Sequence, residues 1–181
     1  YLKNLEKSKP VIVCGDFNIY RSSESAYQKL LQVTAGSEGH VIDPTPISGT
    51  WNSSTYAVHH TQSPRVRAFG GGSTGGLNDR FDLVLYSTAI SQSGGITFVN
   101  GSTVPFGNDG NHYNDSINQP PNTAVSQTIA DALHYAADHL PVSILLDFEN
   151  TSCPFADVGA TAVTDPANYT CATTSQSAAV K

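Results

Sequence analysis

The sequence predicts a layered domain of α/β or α+β class. Strand-like apolar runs are interleaved with segments whose apolar residues recur at helical spacing, and at least two of the strands are apolar on both sides. The length of 181 residues suits one domain, or most of one followed by a tail, and is enough for a sizeable core.

Residues 11–14, Val-Ile-Val-Cys, read as a central strand buried on both faces, since no polar residue alternates through them. Ser22 or Ser23 is expected to cap a helix over 24–34, with Ala26, Tyr27, Leu30 and Leu31 as its apolar stripe. Gly36 and Gly39 end that helix. Residues 40–60 mix strand and turn, punctuated by Pro44, Pro46 and Gly49. The glycine-rich stretch 68–79 precedes a strand and lacks the Gly-Lys-Ser/Thr ending of a phosphate loop, so it reads as a flexible connector. Strands follow at 80–87 and 96–99. Residues 107–122 are loop; the run "NDGNHYND" resembles a calcium loop only superficially, because its spacing is wrong. A helix is expected at 123–136 through Val125, Ile129, Ala132, Leu133 and Ala136, then a strand at 141–149. From Asn150 periodicity is lost, which predicts a domain over 1–149 and a Ser/Thr/Ala-rich linker or tail over 150–181.

Composition limits the function. Formal charge is -6 and charged residues make up 13%, against roughly 25% in typical soluble domains. Such a chain has no broad basic footprint, so any binding of nucleic acid must rest on a metal and a few local cations. No apolar run reaches membrane-spanning length, so no membrane span is expected. Met is absent, and "YLKNLEKSKP" is no signal peptide; the expectation is that further sequence lies upstream. The Ser-, Thr- and Asn-rich surface and the Asn-x-Ser/Thr acceptors at Asn52, Asn100, Asn114, Asn150 and Asn168 point to a secreted, extracellular protein. Cys14 reads as a small buried thiol. Cys153 and Cys171 lie in the tail, where a disulfide between them would close a loop.

Three stretches join a strong strand to groups that carry chemistry: Asp16 and Asn18 after the first strand, Asp82 inside "RFDLVLYS", and Asp138-His139 before "LPVSILLDF". Each also has a structural reading. Asp16 and Asn18 could bond their own backbone in a turn, Asp82 could pair with Arg80, and Asp138-His139 could end a helix. An acid within a buried strand needs a partner, and His139 is the natural one for Asp82. Taken together, three acids, an amide and an imidazole at strand ends suggest a metal-assisted phosphoryl site.

These stretches, "GDFN", "RFDLVLYS" and "ADHLPV", occur in the order found in the endonuclease/exonuclease/phosphatase family, the deoxyribonuclease-I-like enzymes, and the sequence resembles that family over about 8–149. The surrounding residues look most like its secreted bacterial members. The resemblance implies a four-layer α/β sandwich, two mixed sheets face to face with helices outside. It implies hydrolysis of a phosphate ester, most readily a nuclease-like phosphodiester, with Mg²⁺ or Mn²⁺. Asp16 would activate the attacking water and Asn18 would position it. Asp82 would hold His139, His139 would meet the scissile phosphate, and Asp138 would lie at the metal. There are two departures, of which the first should matter little and the second is larger. Ala137 replaces the family's Ser, and the family's amino-terminal half, with its metal-binding Glu, has no counterpart here; Glu6, Glu24, Glu38 and Glu149 lack the strand-end setting. The chain is therefore expected to be about the carboxy-terminal half of such a domain, with its partner the missing half. Strands 11–14, 80–87 and 141–149 would then expose an apolar face. The alternatives are a catalytically silent extracellular binding domain of the same fold, or a phosphodiesterase acting on a lipid or small molecule.

Overall fold

The computed structural model describes residues 8–32, 40–91 and 95–148 and the backbone of 176–178. Elements run β1 (Ile12–Asp16), α1 (Ser25–Leu31), β2 (Val41–Ile42), β3 (Asp82–Ser87), β4 (Ile96–Phe98), β5 (Val104–Pro105), α2 (Gln127–Ala136), β6 (Val142–Phe148) and β7 (Gln176–Ala178), with 3-10 turns at Ser54–His59 and Thr88–Ser91. The class is mixed α and β, with two small sheets whose pairs are all antiparallel.

In the first sheet β3 is the middle strand, flanked by β1 and β2. Its side chains alternate between two cores. Leu83 and Leu85 point toward Ile19, Tyr27, Val41, Ile47 and Trp51. Val84 and Tyr86 point the other way, toward Phe98 of β4 and Ile144 and Leu146 of β6. That second cluster lies between the sheets, with Tyr86 and Phe98 stacked at 4.9 Å. β6 is the common strand of the second sheet. It pairs with β4 through Leu146–Phe148, with β5 through Val142 and Ser143, and with β7 through Ile144–Leu146.

The expectation of a central, doubly buried strand at 11–14 belongs instead to β3. Among the described residues β1 pairs only with β3, so its other edge is open. Val13 packs on the first core and Ile12 on the second, but Cys14 is exposed and is not the buried thiol expected. Nor does 80–87 expose an apolar face: from Leu83 to Ser87 every residue of β3 is buried. In β6, Leu145 and Phe148 are exposed, at 40% and 52%, but they lie on opposite faces of the strand, and Leu145 shares its face with Ser143 and Asp147.

Helix α1 is shorter than predicted and is not capped by serine. Glu24 takes the N-cap position, and its carboxylate accepts the N–H groups of Tyr20 and Arg21, while Ser22 Oγ accepts Gly49 N–H. Ala26 is exposed and Tyr27 is the buried anchor. In α2 the cap is Ser126, whose side chain accepts Ile129 N–H. Its inner face is Ala130 and Leu133 rather than Ile129, which is 41% exposed.

A buried polar knot ties these layers. Arg80 grips Asp43 through both terminal nitrogens, at 2.9 and 2.7 Å. Tyr27 Oη donates to the same carboxylate at 2.6 Å and Thr45 N–H at 2.8 Å. The guanidinium also lies 5.0 Å from the Trp51 ring centroid. Burial alone would raise the Asp43 pKa, but the Arg80 bonds and charge prevail and hold it below the ordinary carboxylate range. Burial and the Asp43 carboxylate push the Tyr27 phenol well up.

The "NDGNHYND" loop is held by its own polar groups. Asp109 accepts Asn111 and Thr123 N–H, and its Oδ1 lies 2.8 Å from His112 Nδ1. Asn108 donates to the carbonyls of Ala57 and His60. Burial favours the neutral Asp109 acid, yet these donors keep its pKa well below the usual range. The carboxylate is thus spent on loop structure. The tail also departs from expectation, since Gln176–Ala178 forms β7. Its Gln-Ser-Ala sequence carries no apolar alternation, so only backbone pairing could reveal it. Cys153 and Cys171 lie outside the described residues.

Candidate functional site

The start of β3 and the entry to β6 meet at a short segment, Thr61-Gln62, that binds both through its backbone and hydroxyl, and the end of β1 joins them through its pairing with β3. Thr61 Oγ1 accepts the N–H groups of Phe81 and Asp82, both at 3.2 Å. Thr61 C=O accepts Leu140 N–H at 2.8 Å, and Phe81 C=O accepts Phe17 N–H at 2.9 Å. Gln62 C=O accepts Asn78 and Asp79 N–H. One residue thereby fixes the backbone beside Asp82 and beside His139, although they lie 57 positions apart.

On that frame Asp82 Oδ2 stands 2.6 Å from His139 Nδ1. Both side chains are about one-fifth exposed, so the pair is screened but reachable. Arg80, the other candidate partner for Asp82, is committed to Asp43. Asp82 is the first residue of β3 rather than its centre, which explains how its carboxylate reaches the sheet's end. A carboxylate on Nδ1 fixes the tautomer with the proton on that nitrogen and leaves Nε2 as the outward atom. The Asp82 hydrogen bond is the chief cause of a raised His139 pKa. Burial works against it, and the charges of Asp82, Asp16 and Asp138 add to it.

Asp16 lies on the Nε2 side, its Oδ2 3.9 Å from that nitrogen. Its side chain is 38% exposed. Asn18 N–H donates to Asp16 Oδ1 at 2.9 Å and Asn18 Nδ2 to Oδ2 at 3.3 Å. The turn reading of "GDFN" is therefore right in its bonding, with Asn18 in the left-handed region at φ 51°. The same turn sets the carboxylate beside His139, so the turn and site readings coincide.

Asp138 is turned to the glycine-rich loop. Its Oδ2 accepts Ser73 N–H at 2.6 Å, which is the main reason its pKa lies below the ordinary value, burial opposing. At Gly72 (φ +81°) a Cβ would stand 2.7 Å from the Asp138 carboxylate. The stretch read as a flexible connector is thus a backbone cradle for an acid, pinned further by Ser63 Oγ donating to Ser73 C=O. Glycine is needed where the backbone comes this close.

Two residues of the site were not predicted. Thr61 and Gln62 carry no motif and neither is titratable; only their place between a double His and Pro64 marks them. Gln62 Nε2 lies 2.6 Å from His139 Nε2.

Among the described residues no three His, Cys, Asp or Glu side chains converge to hold a metal ion. The donors present are nonetheless hard carboxylate oxygens, of the kind Mg²⁺ and Mn²⁺ take one or two at a time together with water and substrate oxygens. Asp16 and Asp138 fit in chemistry; Asp82 is spent on His139. No helix among the described residues is long and apolar enough to cross a membrane. Compared with known proteins, the chain matches no family model, and neither a curated protein nor a solved structure gives a significant match.

Proposed function

We propose that this chain carries the aspartate–histidine part of a phosphate-ester hydrolase site, acting most readily on a phosphodiester. The observation that supports this is the placement of Asp82 and Asp16 on opposite nitrogens of His139 at one sheet end, at 2.6 and 3.9 Å. Asp82 keeps the imidazole oriented and favours its charged form, so Nε2 can donate to a phosphoryl oxygen and offset the negative charge that gathers there in the transition state. Asp16, partly exposed on the same side, accepts a proton from the attacking water. Asn18 steadies that carboxylate from behind. Asp138, with one oxygen on Ser73 N–H, and Asp16 would hold a divalent cation; bound, it would neutralise charge on the phosphoryl group. The finer fold reading, a four-layer sandwich of which this is about the carboxy-terminal half, belongs to the same proposal. So does secretion, and so does nucleic acid as one substrate candidate.

The test is hydrolysis of bis(p-nitrophenyl) phosphate and of p-nitrophenyl phosphate by the intact protein, with Mg²⁺ or Mn²⁺ and with chelator. Diester cleavage that chelator abolishes is expected. Activity indifferent to chelator, or none on either ester with either metal, contradicts the proposal.

A further inference from the structure

The nitrogen that faces a substrate in this reading is already occupied. Gln62 puts its amide 2.6 Å from His139 Nε2, and the carboxylate of Asp16 lies farther off, at 3.9 Å. As placed, the amide N–H donates to the lone pair of Nε2, in keeping with Nδ1–H donating to Asp82. If the imidazole is doubly protonated, rotation of the amide presents Oε1 to Nε2–H instead. Either way Nε2 is capped by a neutral group that serves both protonation states.

The Gln62 backbone cannot yield. Its N–H donates to Asp79 C=O at 3.1 Å, its C=O accepts Asn78 N–H at 2.8 Å, and it bridges to both Asp79 and His139. Among the described residues its side chain has no second hydrogen-bond partner, and it is only half-buried. A fixed base with a movable amide is what a displaceable cap requires.

We propose that Gln62 is a positioning residue that caps Nε2 of His139 in the resting protein and gives way to a phosphoryl oxygen of the substrate. This rests on the phosphate-ester reading above. It explains how the imidazole stays oriented on both nitrogens before substrate arrives, since Asp82 alone holds one atom and leaves the ring free to rock. It also implies a selectivity: only a ligand whose oxygen bonds Nε2 better than a neutral amide displaces the cap, which favours anionic phosphoryl oxygens over neutral carbonyls.

The experiment follows the ¹⁵N signals of His139 while inorganic phosphate is titrated into the wild-type chain, Gln62→Ala and Gln62→Glu. Wild type should show a phosphate-dependent shift at Nε2. Gln62→Ala should bind phosphate about three- to tenfold more tightly, the worth of one hydrogen bond no longer displaced. Gln62→Glu keeps the side chain's size should the alanine variant fail to fold. It should bind phosphate at least about tenfold more weakly, because a carboxylate pairs with the imidazolium and repels the anion. Equal or weaker binding in Gln62→Ala, or unchanged binding in Gln62→Glu, overturns the cap while leaving the phosphate site standing. No phosphate-dependent shift of His139 in any of the three overturns the cap and the functional reading together.

Discussion

Asp82 and His139 show how a single hydrogen bond sets the chemistry of a group. With the carboxylate at 2.6 Å the imidazolium is favoured, and the His139 pKa lies above its ordinary value of 6.5. A raised folded-state pKa means that the folded protein holds the proton more tightly. The resulting stability is fully present below about pH 6.5 and is lost as pH rises through the elevated value. Asp82→Asn removes the charge, so the protein should keep its fold but lose this pH-dependent component. Urea midpoints measured from about pH 6 to about pH 9 should fall less steeply in the variant. Turnover in the intact protein should drop by about a hundredfold, the scale of a lost acid–base or charge-stabilising group. Asp43 has the opposite sign. Its depressed pKa contributes stability above the ordinary carboxylate range that disappears as pH falls through the folded value. Arg80→Ala leaves the Asp43 carboxylate buried and uncompensated, and should cost about 3–5 kcal/mol in denaturant unfolding. The Asp82–His139 pair was legible because the motif order and the need of a strand acid for a partner both pointed to it. The Asp43–Arg80 pair was not, since Asp43 before Pro44 reads as a turn residue and its partner lies 37 positions away. Gln62 was illegible for another reason: an uncharged amide outside any motif carries no chemical signature until geometry places it.

Among elements, the strands and helices of strong periodicity came through, while their roles shifted. Four apolar residues in a row at 11–14 looked buried on both sides, yet burial depends on what lies beside a strand, and β1 has a neighbour on one edge only among the described residues. Exposure of Cys14 gives a direct check: it should react within minutes with a thiol reagent in the native protein. If Cys153 and Cys171 are paired, as the sequence suggests, Cys14 should be the only thiol titrated after denaturation without reductant. Three reactive thiols would refute the pairing, and a Cys14 that reacts only on denaturation would refute the open edge. The glycine-rich loop was misread because spacing rules out a phosphate loop without saying what else the backbone cradles. Gly72→Ala adds a Cβ 2.7 Å from the Asp138 carboxylate at a positive φ, so the loop must part from the acid. Denaturant unfolding should show a loss of about 1–2 kcal/mol, with strain and a displaced hydrogen bond both contributing. Strands β5 and β7 were missed because each is two or three residues long and lacks alternation.

At the scale of the molecule, two thin sheets share one packed interface, through Val84, Tyr86, Phe98, Ile144 and Leu146, while helix α1 and Trp51 close the far side of β3. The site sits where the end of β1 and the start of β3 meet the entry to β6, and Thr61 ties the start of β3 to that entry. The arrangement of the site thus depends on how the two sheets pack together, because Asp16 and Asp82 come from one and His139 leads into the other. The mixed class was visible from the order of elements. The number of layers was not, because side-chain periodicity reports which face is apolar and not what covers it. Asp82 and His139 are proposed as the working part of a phosphate-ester site. The most direct measurement is metal-dependent hydrolysis of bis(p-nitrophenyl) phosphate by the intact protein and its His139→Ala variant, each verified as folded. Turnover is expected in the first and a fall of at least about a hundredfold in the second. Equal turnover in the two proteins would contradict the proposal.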